Sequence, residues 1–506
     1  MASYGSKFPR RLALLVGALL LPLACGGGGG GGGGGSTVTP TPIPTVPAAT
    51  PSPGGSPGPS PTPQAGAARI VMQNGDTIAP GVVVNNIEDA ELGNDGTIAV
   101  IVTVADAARD RAVFVRSPQG AYTSVFDSSN APADVDLHTL ARLRMAPTNE
   151  FTFIAGSGLD SDRLFYSSGT SVVPLAGEAP GAVAPTFRIL GDLSIAKGGL
   201  VGFIAGGDQC TVTTVNTTTR TTCTIHLFTA SGGNVSEAMV TGIDLSGLSP
   251  TTPGVAASDS GSVYFSVPGS RSEPTVVRAS GGTVSTVLAA DTNVTPIGVL
   301  KRPKVIAADP AGDLLLSSTV ATGSNTTAQI LGLLKTDQSF TTIAQQGDAV
   351  GSQTVLDVKA IGLDNTGQAF FQEHIGTAGD AASAVLSLQL GTTQPVEIAR
   401  QGQPLTPGDL TVINLEAPRI NRNGDVAFIA LLGELEPGTS RVEEIRAVVR
   451  RADGELVSVA STKTSSQIGS LTDVSIAGFD DNGTLLLIIA RGNAATRALV
   501  VAPSTS

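Results

Sequence analysis

The sequence predicts an all-β fold, a β-propeller of eight four-stranded blades closed by pairing of its N- and C-terminal strands. Three observations lead there. A turn motif marked by glycine recurs along residues 69–506, short Val/Ile/Leu-rich runs alternate with Gly, Pro, Asn and Ser clusters, and no amphipathic helix interrupts them.

The turn is clearest in Ile420 to Ala430, I-N-R-N-G-D-V-A-F-I-A. Asn421 and Gly424 take the first and fourth positions of a β-turn, where an Asx side chain bonds forward and a glycine accepts positive φ. Asp425 to Leu432 then reads as a strand. The same glycine recurs as Gly96, Gly199, Gly261, Gly312, Gly367, Gly424 and Gly483, and Asn149 takes its place in one further copy. These eight markers are 50 to 62 residues apart, about 55 on average, a spacing typical of repeat arrays. An apolar residue lies four after each: Val100, Phe153, Phe203, Phe265, Leu316, Phe371, Phe428 and Leu487. The first turn position is Ser258, Asp309, Asp364, Asn421 or Asp480 in five copies. Gly93, Ala146 and Ala196 depart from it, so the first three copies are the degenerate ones.

This pattern resembles the bacterial cell-envelope proteins with tandem NxxGxxAF repeats, over roughly residues 69–506. Asn421, Gly424, Ala427 and Phe428 match that motif outright, and Asp364 to Phe371 and Asp480 to Gly483 match it loosely. The family has no established activity, so the resemblance implies architecture and surface attachment rather than chemistry.

Residues 1–24 read as a lipoprotein-type signal peptide. Lys7, Arg10 and Arg11 precede the apolar run Leu12 to Leu21, which is too short for a stable membrane span but suits export. Ala24-Cys25 resembles the lipobox of bacterial lipoproteins, which implies diacylation of Cys25 and attachment to a membrane. Pro22 departs from the motif, and an ordinary signal peptide with an incidental Cys25 is the alternative. Residues 25–68 then form a tether. Gly26 to Gly35 is an unbroken glycine run, and Ser36 to Ala68 carries ten prolines with no charge. Neither part can bury a core. In polyproline-like form the second part would reach roughly 100 Å.

Each period of the 69–506 domain holds about four strands, in the best repeat Leu410 to Leu415, Asp425 to Leu432, Ile445 to Arg450 and Glu455 to Ala460. A second glycine, as Gly75, Gly177, Gly347 and Gly402, precedes the turn marker by 20 to 22 residues and follows the fourth strand. Arg69 to Gln73 therefore ends a blade that has no beginning upstream. Leu471 to Ala502 supplies three strands and stops, so the two segments together complete an eighth blade and remove exposed sheet edges. Seven blades or an open β-solenoid are the alternatives; tandem sandwiches need about 100 residues each.

With Lys7, Arg10 and Arg11 removed, 27 basic residues face 42 acidic ones, a net charge near −15 that disfavours nucleic acid as a partner. Cys210 and Cys223 flank a Thr-rich segment and are expected as a disulfide at the base of a hairpin, which an exported location permits. His138, His226 and His374 have no metal-ligand spacing and read as solvated or loop residues. No Gly-Lys dipeptide exists, which excludes a Walker A loop. The acidic turn Asp480-Asp481-Asn482-Gly483 lacks the further carboxylates that calcium requires. No cofactor or metal is expected. Glu88, Asp89 and Glu91 form one acidic cluster and Glu434, Glu436, Glu443 and Glu444 another, both read as solvated loops. No Trp and only four Tyr are present, so stacking platforms are scarce. The expected function is a lipid-anchored, surface-displayed binding module for a protein or glycan. A structural envelope component is the alternative, and a propeller hydrolase or lyase the second.

Overall fold

The computed structural model describes residues 68–503, apart from 106–110, 134, 157–161, 177–186, 208–210, 216–217, 223, 239–253, 268–273, 290–292, 295–297, 323–325, 378–382, 390–394, 437–438, 464–470 and 493–495. Residues 1–67, on which the expected signal, Cys25 and the expected tether fall, lie outside the described residues, as do Cys210, Cys223 and Gly177.

Eight antiparallel sheets, each built on four strands, form a β-propeller. From the channel outwards, blade 1 comprises Val82–Leu92, Ile98–Val104, Arg111–Arg116 and Tyr122–Phe126. Blade 2 comprises Asp136–Met145, Phe151–Gly156, Asp162–Ser167 and Val172–Ala176. Blade 3 has Phe187–Ala196, Leu200–Gly207, Ile225–Ser231 and Asn234–Glu237, and blade 4 has Val255–Ser258, Ser262–Ser266, Pro274–Ser280 and Thr283–Ala289. Blade 5 is Gly298–Ala308, Leu314–Ala321, Thr327–Leu334 and Phe340–Gln345, and blade 6 is Gln353–Leu363, Ala369–Gly376, Ser383–Gln389 and Val396–Arg400. Blade 7 is Thr411–Ile420, Val426–Glu436, Thr439–Arg450 and Leu456–Ser461. Blade 8 takes Leu471–Phe479, Thr484–Arg491 and Thr496–Pro503 from the C-terminal end and Arg69–Gln73 from the other. The innermost strands touch their neighbours all the way round, blade 8 against blade 1 included.

Propeller blades face each other, so each gap needs its own core. Among the described residues eight apolar clusters fill the eight gaps. This is why the second strands are apolar almost throughout: in blade 7, Ala427 and Ile429 enter the core shared with blade 8, whereas Val426, Phe428, Ala430 and Leu432 enter the one shared with blade 6. All eight residues four beyond the turn markers, Val100 to Leu487, are fully buried.

The ring closes as the sequence predicts. Arg69 pairs with Val501 and Gln73 with Ala498, antiparallel. Met72 is fully buried in the core between blades 8 and 1, Ala68 packs on the core between blades 7 and 8, and the Tyr122 hydroxyl of blade 1 donates to the Val71 carbonyl. Two features differ from expectation. Short strands at Thr77–Ala79, Asn293–Val294 and Ala349–Val350 pair with the inner strands of blades 1, 5 and 6 as the chain returns to the channel. The first strand of blade 7 also runs on to Ile420, right up to its turn. The expected hairpin in blade 3 is present, with Thr211–Val215 paired to Thr218–Thr222.

Candidate functional site

The eight turns join the first and second strands of every blade and therefore lie on one face of the ring. Gly96, Gly199, Gly261, Gly312, Gly367, Gly424, Gly483 and Asn149 all have positive φ, between 70° and 92°. The first-position side chain explains the Asx/Ser pattern. Asn421 Oδ1 accepts from the Asn423 and Asp425 amides at 3.0 and 2.9 Å, and Asp480 Oδ1 from Asn482 and Thr484 at 3.0 and 2.7 Å. Asp364 and Asp309 do the same within their own turns. One acceptor thus satisfies two amides of a tight turn that has no strand partner to offer. Ser258, Asp309, Asp364, Asn421 and Asp480 are all buried.

They are buried because the turns touch. Asn421 Nδ2 donates to the Asp480 carbonyl at 2.9 Å, and Ser258 Oγ to the Asp309 carbonyl at 2.5 Å, in each case the first position of one turn reaching the first position of the next. The Asp481 amide donates to Asn94 Oδ1, the Asn94 amide to the Pro147 carbonyl, the Gly198 amide to Thr148 Oγ1, the Lys197 amide to Asp259 Oδ1 and the Asn365 amide to the Arg422 carbonyl. Between blades 5 and 6 the Asp309 carboxylate lies against Gly367 instead. The turns form a continuous girdle, a role that no single repeat reveals.

Inside the girdle the channel is layered. The second turn positions, among them Asn94, Asp259, Asn365, Arg422 and Asp481, make a polar rim, and an Arg422–Asp259 ion pair reaches from blade 7 to blade 4. The residues just before the turns, Leu92, Met145, Ile195, Ala257, Ala308, Leu363, Ile420 and Phe479, make an apolar collar. Rim and collar enclose about 270 Å³. A groove of about 510 Å³ on the same face runs between blades 8 and 1 and is lined by Arg69, Asn94, Asp95, Arg116 and Asn482.

Beyond the collar the inner strands turn charged. Glu91 is buried, with Arg144 Nη1 at 3.4 Å from Oε1 and Arg419 Nη1 at 3.7 Å from Oε2. Burial pushes its carboxyl up to about 7, outweighing the Arg419 and Arg144 guanidiniums. Burial also raises Asp89, against the Leu143 amide that donates to its Oδ2 at 3.1 Å. Next comes a pocket of about 310 Å³ lined by Arg142, Arg144, Asp192 and Lys304 from blades 2, 3 and 5. Four inner strands carry bulges in this region, at 142–143, 191–192, 302–303 and 417–418, where two residues oppose one. Arg142, Arg302 and Ala417 consequently hold left-handed backbone, with φ of 55°, 52° and 47°.

The histidines are strand residues rather than loop residues. His226 Nδ1 lies 2.7 Å from Glu237 Oε1 and His374 Nδ1 2.8 Å from Asp357 Oδ1, each on an adjacent strand, and His138 sits on the inner strand of blade 2. The two acidic clusters are likewise not solvated loops. Glu88, Asp89 and Glu91 lie on the inner strand of blade 1. Glu434, Glu436, Glu443 and Glu444 lie on two paired strands of blade 7, where buried Glu444 accepts from Arg446 and Ser461. Among the described residues no group of three or more His, Cys, Asp or Glu is placed to hold a metal ion. Sequence reading missed the channel arginines; Pro303 and Pro418, prolines inside strands, were the available sign of two of the bulges.

A family model described as "Family of unknown function (DUF7453)" matches residues 308–500, from just before the Asp309 turn into the third strand of blade 8. No curated protein matches the chain. Among solved structures the chain is similar to the Dos1 propeller, with 8% identity, a TM-score of 0.43 and coverage of 86% of this chain and 94% of that one. It is also similar to a post-proline cleaving enzyme from Rickettsia typhi, with 9% identity, a TM-score of 0.39 and coverage of 80% and 58%. The polysaccharide lyase Uly1 has 10% identity, a TM-score of 0.37 and coverage of 85% and 91%. Such likeness concerns the fold alone.

Proposed function

We propose that this chain is a lipid-anchored binding module of the bacterial cell envelope, related to the NxxGxxAF proteins, which holds its propeller away from the membrane and offers the face opposite the turns to a protein or glycan. The observation that supports this orientation is the position of Arg69. It lies on the turn face, beside Asn94, Asp95 and Asn482. A tether of residues 25–68 leading back to an acylated Cys25 would therefore join that face, whose turn side chains are already consumed by one another. The opposite mouth, with its charged inner strands, would point outwards.

The test is retention of material from the host's own envelope fraction and secreted glycans by immobilised protein carrying Cys25→Ser, compared with an unrelated acidic propeller. Specific retention supports the reading; no retained ligand favours a structural envelope component. Labelling of cells with a fatty-acid probe, lost in Cys25→Ser, tests the anchor, and non-reducing mass mapping tests a Cys210–Cys223 bridge. A hydrolase or lyase reading is favoured by one observation, the Glu91 carboxyl raised to about 7 beside Arg144 in a channel.

A further inference from the structure

The pocket beyond the collar combines features that no structural role of the ring requires. Arg142, Arg144 and Lys304 face one carboxylate, Asp192, across about 310 Å³, at the lower end of the range for ligand pockets. Among the lining residues alone the balance is two positive charges in excess, before Glu91 beside Arg144 is counted, in a chain whose net charge is −12. Among the described residues neither Arg142 nor Lys304 forms an ion pair, and the Arg142 guanidinium meets only the Gly191 carbonyl, at 3.1 Å. Arg144 shares Glu91 with Arg419, and its side chain is half exposed. Asp192 opens to the channel yet is hemmed in by neighbouring atoms. Burial raises its carboxyl against the charges of Lys304, Arg142 and Arg144.

The backbone is bent to make this arrangement. Arg142 stands at φ 55°, which is costly for a side chain other than glycine, Asn or Asp. Gly191 and Asp192 form the matching bulge in blade 3. The inner strand of blade 4 is only four residues long, and a Cβ on Gly254 just before it would clash with the Val305 carbonyl and come within 2.9 Å of Lys304 Cγ, so glycine here leaves room for the blade 5 backbone and for the Lys304 stem that passes beside it. Lysine from blade 5 can thus reach the pocket of blades 2 and 3. Among the described residues no aromatic side chain lines the pocket: Tyr166 and Tyr264 are buried in cores between blades, and Tyr122 is tied to the closing strand. Recognition here has to be by charge and hydrogen bonding.

We propose that this pocket binds a hydroxylated carboxylate of the uronic-acid class, with Arg142, Arg144 and Lys304 facing the carboxylate and Asp192 accepting from the hydroxyls. Guanidiniums match a carboxylate with paired donors, and the one acceptor among three donors discriminates a sugar acid from a bare inorganic anion. The inference rests on the binding-module reading and names its ligand chemistry.

Calorimetric titration of full-length protein carrying Cys25→Ser with glucuronate, glucose and inorganic phosphate tests it. Glucuronate is expected to bind saturably and glucose not. Arg142→Asn, which tolerates the left-handed backbone, and Lys304→Gln should each weaken glucuronate at least tenfold with unchanged unfolding midpoints. Asp192→Asn should weaken glucuronate but not phosphate. Absence of saturable glucuronate binding, or unchanged affinity in the Lys304→Gln protein, overturns the site. Phosphate binding as tightly as glucuronate overturns the sugar-acid assignment. Retention of envelope material without glucuronate binding sinks this inference alone, whereas glucuronate binding without such retention keeps the pocket and overturns a ligand drawn from the host's own envelope.

Discussion

Asn421 Nδ2 lies 2.9 Å from the Asp480 carbonyl oxygen, so the side chain that organises the turn of blade 7 also fastens it to the turn of blade 8. The same amide group accepts two backbone N–H groups of its own turn. The two functions can be separated. Asn421→Asp keeps the acceptor oxygen but replaces the donor by a carboxylate oxygen facing the Asp425 carboxylate and the Asp480 carbonyl, at about 1–3 kcal/mol; Asn421→Ala leaves two turn amides and a buried carbonyl unpaired, at about 2–4 kcal/mol. Urea midpoints should rank wild type, Asp, Ala. An Asp variant as stable as wild type would mean that the bond between turns contributes nothing.

The closing strand offers a sharper contrast. Deletion of residues 69–81 removes Met72 from its core and unpairs Thr496–Pro503, so the unfolding midpoint should fall steeply and blades 1 and 8 should become open to protease. Deletion of 26–67 should leave the midpoint unchanged, because a glycine run followed by a Pro-rich stretch has too little apolar surface to add to the core. Met72→Ala alone should cost about 2–5 kcal/mol. Two deletions of equal stability would contradict closure by the termini.

Gly424 and Gly261 are both left-handed, at 85° and 83°, but a Cβ on Gly424 would come 2.8 Å from Asp364 Oδ2, whereas one on Gly261 meets open space. Alanine at 261 should cost about 1–2 kcal/mol of backbone strain. Alanine at 424 should cost more, since the carboxylate of the neighbouring blade has to move. Matching losses would show that the girdle yields freely.

Glu91 should give the protein a pH dependence of definite sign. Its folded pKa is raised from 4.5 to about 7, so the folded state binds the proton more tightly than the unfolded chain. Its stabilising contribution is therefore complete below about 4.5 and is lost as pH rises to about 7, on the order of 3 kcal/mol across that window. Wild type should lose stability relative to Glu91→Gln between pH 5 and pH 8 in parallel urea titrations. Parallel curves for the two proteins would mean that Arg144 and Arg419 keep the carboxylate ionised throughout.

Much of the architecture was written locally. A glycine or Asn with positive φ closes each turn, and each second strand is apolar on both faces because it is covered on both; both are properties of a few consecutive residues, so their recurrence counted the blades and matched Arg69 to Gln73 with Leu471 to Ala502. The site was not local. Arg422 reaches Asp259, and Arg142 shares a pocket with Lys304, only because a ring brings blades that are three apart, 7 and 4 or 2 and 5, together across its channel. Glu91 reads as one more solvated acid in E-D-A-E, and its burial between Arg144 and Arg419 depends on desolvation by blades far apart in sequence. Pairing rules act along neighbouring strands and can be read from the chain; charge and solvation depend on distance in space, which closure of the ring alone determined.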